Sequence, residues 1–257
     1  MDGIREPVSA ENFTLLLSVL VEGEFARVGS AKDILFKTVE SFEKELVEQG
    51  AFGTYLNILE QDTIAGEILL TFRDSSLESY WKSLSKSPHI WESGTNFVAP
   101  VFTSLSGNKS DRYVERDFML KSSLLSGCKV LNTVNITSRH LMTPTDVAGI
   151  ESLFNQYGLA LDNRKKEIEV QGNGENRQYL RLLIPKNSTL VSSSGAIGTK
   201  LTLDASDLRF DMITTNIRTL VGQKSEVRVE YESTPAICQS ELVFQPQPGL
   251  QKYQILR

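Results

Sequence analysis

Gly107-Asn108-Lys109-Ser110-Asp111-Arg112-Tyr113-Val114-Glu115-Arg116-Asp117-Phe118 divides this chain into two textures. Ahead of it the apolar residues recur at helical spacing with a few strand-like runs; behind it almost everything reads as short strands. From Arg112 to about residue 124 the stretch reads as a strand. A period of two then puts Arg112, Val114, Arg116 and Phe118 on one face and Tyr113, Glu115, Asp117 and Met119 on the other. Neither face is cleanly apolar at its start, so the strand is expected to begin exposed and to become buried toward Met119. Two arginines four residues apart on one strand face could grip a phosphate or carboxylate in bidentate fashion, so Lys109, Arg112 and Arg116 are the candidate ligand contacts. The neighbouring acids offer another reading, a network of ion pairs fixing the junction between the halves, and the interleaved signs favour it.

Upstream, Ser9 is a helix N-cap followed by Phe13, Leu16, Leu17, Leu20 and Val21 as a buried face. Ser30 and Asp33 open a second helix whose apolar stripe is Leu35, Val39, Phe42 and Leu46, with Gly50 as its stop. A third helix covers residues 52 to 61, a short buried strand residues 67 to 73, and a fourth helix starts at Ser75 or Ser76 and is stopped by Pro88. Residues 96 to 105 are β-branched and aromatic around Pro100, a proline that predicts an edge strand or a bulge.

Downstream, Val130 to Thr137 alternates. Thr143-Pro144-Thr145-Asp146 is then a helix start with Thr143 as N-cap and Val147, Ile150, Phe154 and Tyr157 as the apolar stripe. Strand-like runs follow at 167–170, 178–184, 200–203, 208–214, 217–221, 226–232, 241–244 and 253–256. They are separated by turns at 172–176, 185–187, 222–224 and 246–249. Gly195 to Lys200 lacks the spacing and the following helix of a phosphate loop and reads as a hairpin turn. The predicted fold is α+β. A helix-rich mixed part, residues 1–106, precedes an antiparallel, immunoglobulin-like β-sandwich, residues 107–257, with one inserted helix.

Composition excludes several functions. A net charge of −5 with a pI near 5.3 leaves no basic excess for a nucleic-acid backbone. The longest strongly apolar run, residues 13 to 21, is too short to span a membrane. The start lacks the features of a signal peptide, which taken alone points to the cytoplasm. Cys128 and Cys238 fit no metal spacing; they either bridge, if the compartment is oxidising, or stand as two separate small apolar residues. His89 and His140 have no partners at a recognisable spacing and read as lone surface histidines. No metal, cofactor or catalytic residue is assigned.

The order of several short motifs carries a resemblance. Val8 to Phe13, the helix at Asp33, Asn108 to Arg116, Tyr179-Leu180-Arg181-Leu182-Leu183-Ile184-Pro185 and Gln247-Pro248-Gly249 resemble the C-terminal portion of the bacterial family called domain of unknown function 4012. The resemblance implies a membrane-anchored, outward-facing envelope protein, whose earlier region is likened to the LytR-CpsA-Psr phosphotransferases. This chain begins downstream of the glycine-rich region and membrane helix expected in that family, so the resemblance transfers no catalytic residue. It implies a non-catalytic extracytoplasmic envelope module, anchored through an upstream segment, for surface display, assembly or contact with a cell-wall polymer or another envelope protein. The alternative is a fragment of a phosphotransferase acting on lipid-pyrophosphate-linked polymers, with Lys109, Arg112 and Arg116 on the substrate.

Overall fold

A computed structural model describes residues 9–22, 31–65, 72–84, 95–156, 164–195, 202–204, 210–250 and 252–256. The chain is mixed α/β, with its helices concentrated toward the N-terminus. The first of these are α1 (Ala10–Glu22), α2 (Ala31–Glu48), α3 (Phe52–Ala65) and α4 (Ser75–Leu84). Short polar side chains set their ends. Ser9 and Asn12 cap α1 reciprocally, each backbone N–H donating to the other's side chain. Asp74, rather than either serine after it, caps α4 by accepting the N–H groups of Ser76 and Leu77. Gly50 closes α2 with a left-handed φ of 63°. No described helix is long and apolar enough to cross a membrane.

Two of the helical faces differ from expectation. On α1 the buried positions are Leu16 and Val19, while Phe13 is exposed. The helix rotates toward α5 (Pro144–Gln156), where Leu16 and Val19 join Met142, Ile150, Phe154 and Ile168 in one apolar cluster. On α2 two positions of the predicted inner stripe face outward, Val39 at 54% and Phe42 at 53% exposed, while Leu46 is half-buried; periodicity marks which residues share a face but not what covers it. Phe42 meets the Tyr55 ring edge-on. The expected strand at 67–73 falls mostly outside the described residues, as do Ser30, His89, Pro88, Trp91, Tyr157 and the turn after Gly195.

Ten strands follow among the described residues: β1 (Phe97–Ser104), β2 (Val114–Leu124), β3 (Val130–His140), β4 (Asn176–Pro185), β5 (Thr189–Ser194), β6 (Thr202–Asp204), β7 (Phe210–Thr219), β8 (Lys224–Ser233), β9 (Val243–Phe244) and β10 (Tyr253–Leu256). They form two five-stranded sheets, in the orders β6-β7-β4-β1-β9 and β10-β2-β3-β8-β5. The sheets are not purely antiparallel: β9 runs parallel to β1, and β10 parallel to β2. β1 comes from ahead of Gly107, so this two-sheet body draws on both sides of the dividing stretch. Residues 167–170, read as a strand, are instead the end of the short helix α6 (Arg164–Ile168) and a wide turn over Glu169–Asn173. The two runs at 208–214 and 217–221 are one continuous strand, β7, because Thr215 keeps the inward phase between Ile213 and Ile217. β5 gave no apolar signal because it is an exposed, serine-rich edge.

The facing sides of the sheets share one core. Val98 and Phe102 of β1, Leu180, Leu182 and Ile184 of β4 and Ile213 of β7 meet Phe118, Val134, Ile136, Val229 and Tyr231 of the other sheet. Polar side chains close both ends of this apolar centre. At one end Asn96 and Asn132 exchange amide hydrogen bonds of 3.0 and 2.9 Å and both engage Ser233. Near that end Cys128, in the turn between β2 and β3, is disulfide-bonded to Cys238 in the connection from β8 to β9, with Cα atoms 4.9 Å apart.

Pro100 sits where a strand tolerates it. The carbonyls of Asn96 and Val98 accept hydrogen bonds from Val243 and Gln245, so alternate residues of β1 point to that outer side. β9 pairs only with Phe97 and Val98. Beyond it no described strand pairs with that side of β1, so the missing N–H of the buried Pro100 leaves no partner wanting. At Phe102 the Gln247 side chain takes the place of a strand, accepting the N–H at 2.6 Å and donating to the carbonyl at 3.3 Å.

Candidate functional site

The dividing stretch lies at the other end of the body, where β2 and β4 begin. Its path is set by backbone and amide bonds: Leu105 N–H donates to the Arg177 carbonyl and Lys109 N–H to that of Val170. The Asn108 side chain accepts from the Ser110 N–H and hydroxyl and donates to the Glu175 carbonyl. These contacts curl Ser110–Tyr113 into a single 3-10 turn, and the strand starts only at Val114. Arg112 therefore sits on the turn and Arg116 on the strand, not together on one strand face. A hydrogen-bonded asparagine before a serine favours such a turn over extended backbone.

Arg116 occupies the core face of β2, between Val114 and Phe118, and is 1% exposed. The strand is thus buried from its first residues, while Met119, expected to be the buried end, is exposed. A cation so placed needs compensation. The guanidinium donates to Asp111 at 2.6 Å and to Gln178 Oε1 at 2.7 Å, and lies 4.6 Å from the centroid of the Phe102 ring. Burial pulls its pKa below the usual value, against the opposing pull of Asp111. Asp111 Oδ1 also accepts from Gln178 and from Asn176 Nδ2. On the opposite face of β2, Glu115 and Asp117 pair with Arg139 of β3 rather than with the arginines of the stretch. The Arg139 hydrogen bond holds the Asp117 carboxyl below its usual range.

Lys109, Asp111, Arg112 and Arg116 line one cleft of about 290 Å³. Phe102, Gln178, Gln247 and Leu250 complete its walls, and Thr14 reaches it from α1. Arg112 donates to Ser18 of α1 at 3.0 Å, and the Ser18 hydroxyl donates to Gln171, tying the helix to the rim. The tertiary structure thus gathers all three candidate cations. Gln178, Gln247, Asn176 and Ser18 escaped the sequence reading. Gln178 alone carried a signal, since it shares the inward phase of Leu180 and Leu182.

Two supports behind the cleft depend on unusual packing. Gly172 has φ of 134°, and its Cα lies so close to the Tyr113 ring that a Cβ there would overlap it. Tyr113 stacks on His140 with ring planes 3° apart. His140, expected at the surface, is buried. Its Nε2 meets the Gly174 carbonyl at 3.1 Å and its Nδ1 accepts the Met142 N–H at 3.4 Å. These partners fit the neutral imidazole, and burial pushes its pKa down. Among the described residues no cluster of three or more histidine, cysteine or acidic side chains could hold a metal ion.

No protein-family model matches the chain, and no curated protein does. A solved structure from Legionella pneumophila, provisionally named a nutrient binding protein, aligns with 53% of this chain and 42% of its own length. Its identity is 8% and its TM-score 0.30, too little to carry an argument about fold or function.

Proposed function

We propose that this chain is a non-catalytic, extracytoplasmic module of the cell envelope that holds an anionic wall polymer in the cleft at Lys109, Arg112 and Arg116. The observation that carries the reading is this gathering of three cations around one carboxylate, in a concave site on a chain of net charge −5. Such a cleft focuses positive potential against a repelling background, which favours a specific anion over indiscriminate polyanion binding. Arg116 is buried and held by Asp111, whereas Lys109 and Arg112 are half-buried and give the cleft its accessible cationic surface. The site is built of donors and of a carboxylate held by three donors at one oxygen, an arrangement for holding an anion rather than for activating a nucleophile.

The Cys128–Cys238 bridge supports an oxidising, extracytoplasmic setting, where such bonds persist. Membership of the family of domain of unknown function 4012, anchoring through an upstream segment and an immunoglobulin-like arrangement of the two sheets belong to the same reading. They are supported by the order of the motifs and by two facing sheets with a common core. Calorimetric titration with polygalacturonate, wall teichoic acid and neutral dextran tests the function. Binding of an anionic polymer but not dextran, weakened at least fivefold by Arg112→Ala, is expected. Equal binding of dextran, or no effect of the substitution, would remove the cleft from the function. Turnover of a lipid pyrophosphate would favour the phosphotransferase alternative.

A further inference from the structure

After β8 the chain straps the two sheets together along one side. β9 adds to the edge of one sheet beside β1, and β10 to the edge of the other beside β2. Between them the strap crosses from sheet to sheet at the cleft, where Gln247, Gly249 and Leu250 form part of the wall. Three backbone amides mark its seat on β1. Val243 N–H donates to the Asn96 carbonyl at 2.9 Å, Gln245 N–H to that of Val98 at 3.0 Å, and Phe102 N–H to the Gln247 side chain at 2.6 Å. The lead-in to the strap, residues 236 to 241, is exposed throughout. Among the described residues two ties fix that run to the sheets: the Cys128–Cys238 bridge and a 3.1 Å hydrogen bond from Asn96 to the Glu241 carbonyl. Cys238 is exposed, and Cys128 is half-buried in its turn.

We infer that the bridge is a thiol-exchange site at which a dithiol attacks Cys238, and that its opening slackens the strap and with it the wall of the cleft. Exchange follows access to the sulfur, so a thiolate of the dithiol attacks Cys238 Sγ. A mixed disulfide forms, and Cys128 leaves as a thiolate that takes up a proton. The second thiol of the reagent, once deprotonated, displaces Cys238; the bridge has gained two electrons and the reagent ends as a disulfide. With the bridge closed, Val243 is tethered at Cys238. With it open, the nearest strand residue upstream is Ser233, which roughly doubles the free chain. Effective concentration falls as about the −3/2 power of tether length, so the strap detaches about threefold more readily. Gln247 and Leu250 move with it, which couples a reductant to binding in the cleft. That last consequence rests on the reading of the cleft as a polymer contact; the exchange site and the strap do not.

Acid-quenched peptide mapping after incubation of the full chain with glutathione should find the adduct on Cys238. An adduct on Cys128 instead, on both equally or on neither overturns the exchange site. Hydrogen exchange at pH 7 with and without dithiothreitol should show the Val243, Gln245 and Phe102 amides exchanging at least threefold faster on reduction, with those of α5 keeping their rates. Unchanged strap amides, or acceleration of α5 by the same factor, would make the bridge a general staple and overturn the strap device. The Cys128→Ser, Cys238→Ser double variant should not respond to the reductant, and a response there has the same consequence. Polygalacturonate binding to the wild type should weaken at least threefold on reduction; an unchanged affinity overturns the coupling. If the polymer binds in neither state, the polymer reading fails, while mapping and hydrogen exchange still decide the exchange site and the strap.

Discussion

Arg116 and Asp111 are paired at 2.6 Å, the arginine buried within the sheet core and the aspartate at the rim of the cleft. The pair carries charge from solvent into the end of an apolar core, and Gln178 and the Phe102 ring complete the shell around it. The same contact orders the turn that presents Lys109 and Arg112. Stability and the shape of the cleft therefore share one interaction.

Arg116→Met leaves Gln178 and Asp111 Oδ1 without their central donor and is expected to cost about 2–3 kcal/mol. Urea unfolding measures it. Pairing it with Asp111→Asn should recover part of the loss, because no unbalanced carboxylate then remains; a strictly additive double variant would argue against coupling.

Gly172→Ala combines a disfavoured positive φ with overlap on the Tyr113 ring, and a loss of about 2–4 kcal/mol is expected. Adding Tyr113→Ala should restore stability relative to the sum of the two single changes. Thermal melts of the four proteins test this.

The Cys128–Cys238 bridge closes a sequence separation of 110 residues. Chain-entropy reasoning puts its contribution at up to about 4–5 kcal/mol. A reductant should lower the melting temperature of the wild type while leaving that of a Cys128→Ser, Cys238→Ser double variant unchanged. Insensitivity of the wild type would show that the bond does not constrain the unfolded chain.

Acidification should act through His140. Its folded pKa lies below the ordinary 6.5, so the unfolded chain binds the proton more readily. Stability present above pH 6.5 is then lost as the pH falls through the folded value. Urea midpoints between pH 7.5 and 5 should decline, and His140→Gln should flatten that part of the slope. An unchanged slope in the variant assigns the titration elsewhere.

Asn132→Ala removes the amide shared with Asn96, Ser122 and Ser233 at the disulfide end. A cost of about 2–3 kcal/mol is expected, because buried polar partners are left unsatisfied. Hydrogen exchange should show the loosening first at the start of β1, where Asn96 is anchored.

Elements with local causes were legible in advance. Thr143 and Asp146 do cap α5 reciprocally, and the alternation of β3, β4 and β8 matches their burial. Residues 167–170 misled because four alternating residues fit a strand and a turn equally well, and only the contacts of Ile168 and Gln171 decide. The stripe of α2 was visible as a stripe, but its exposure depends on what packs nearby. Lys109, Arg112 and Arg116 were grouped by nearness in sequence, and they do line one cleft; the strand face assumed to align them is absent.

By itself the sequence determined what short-range physics controls: the helix caps, the alternation of the long strands, the punctuation by turns and the concentration of charge at residues 109–117. Only the tertiary structure decided that Arg116 faces inward, that Gln178, 62 positions away, receives it, and that Cys128 meets Cys238. Those outcomes depend on strand pairing between distant segments. A buried charge is tolerable only where folding delivers its partners, and no local pattern encodes which distant residues those will be.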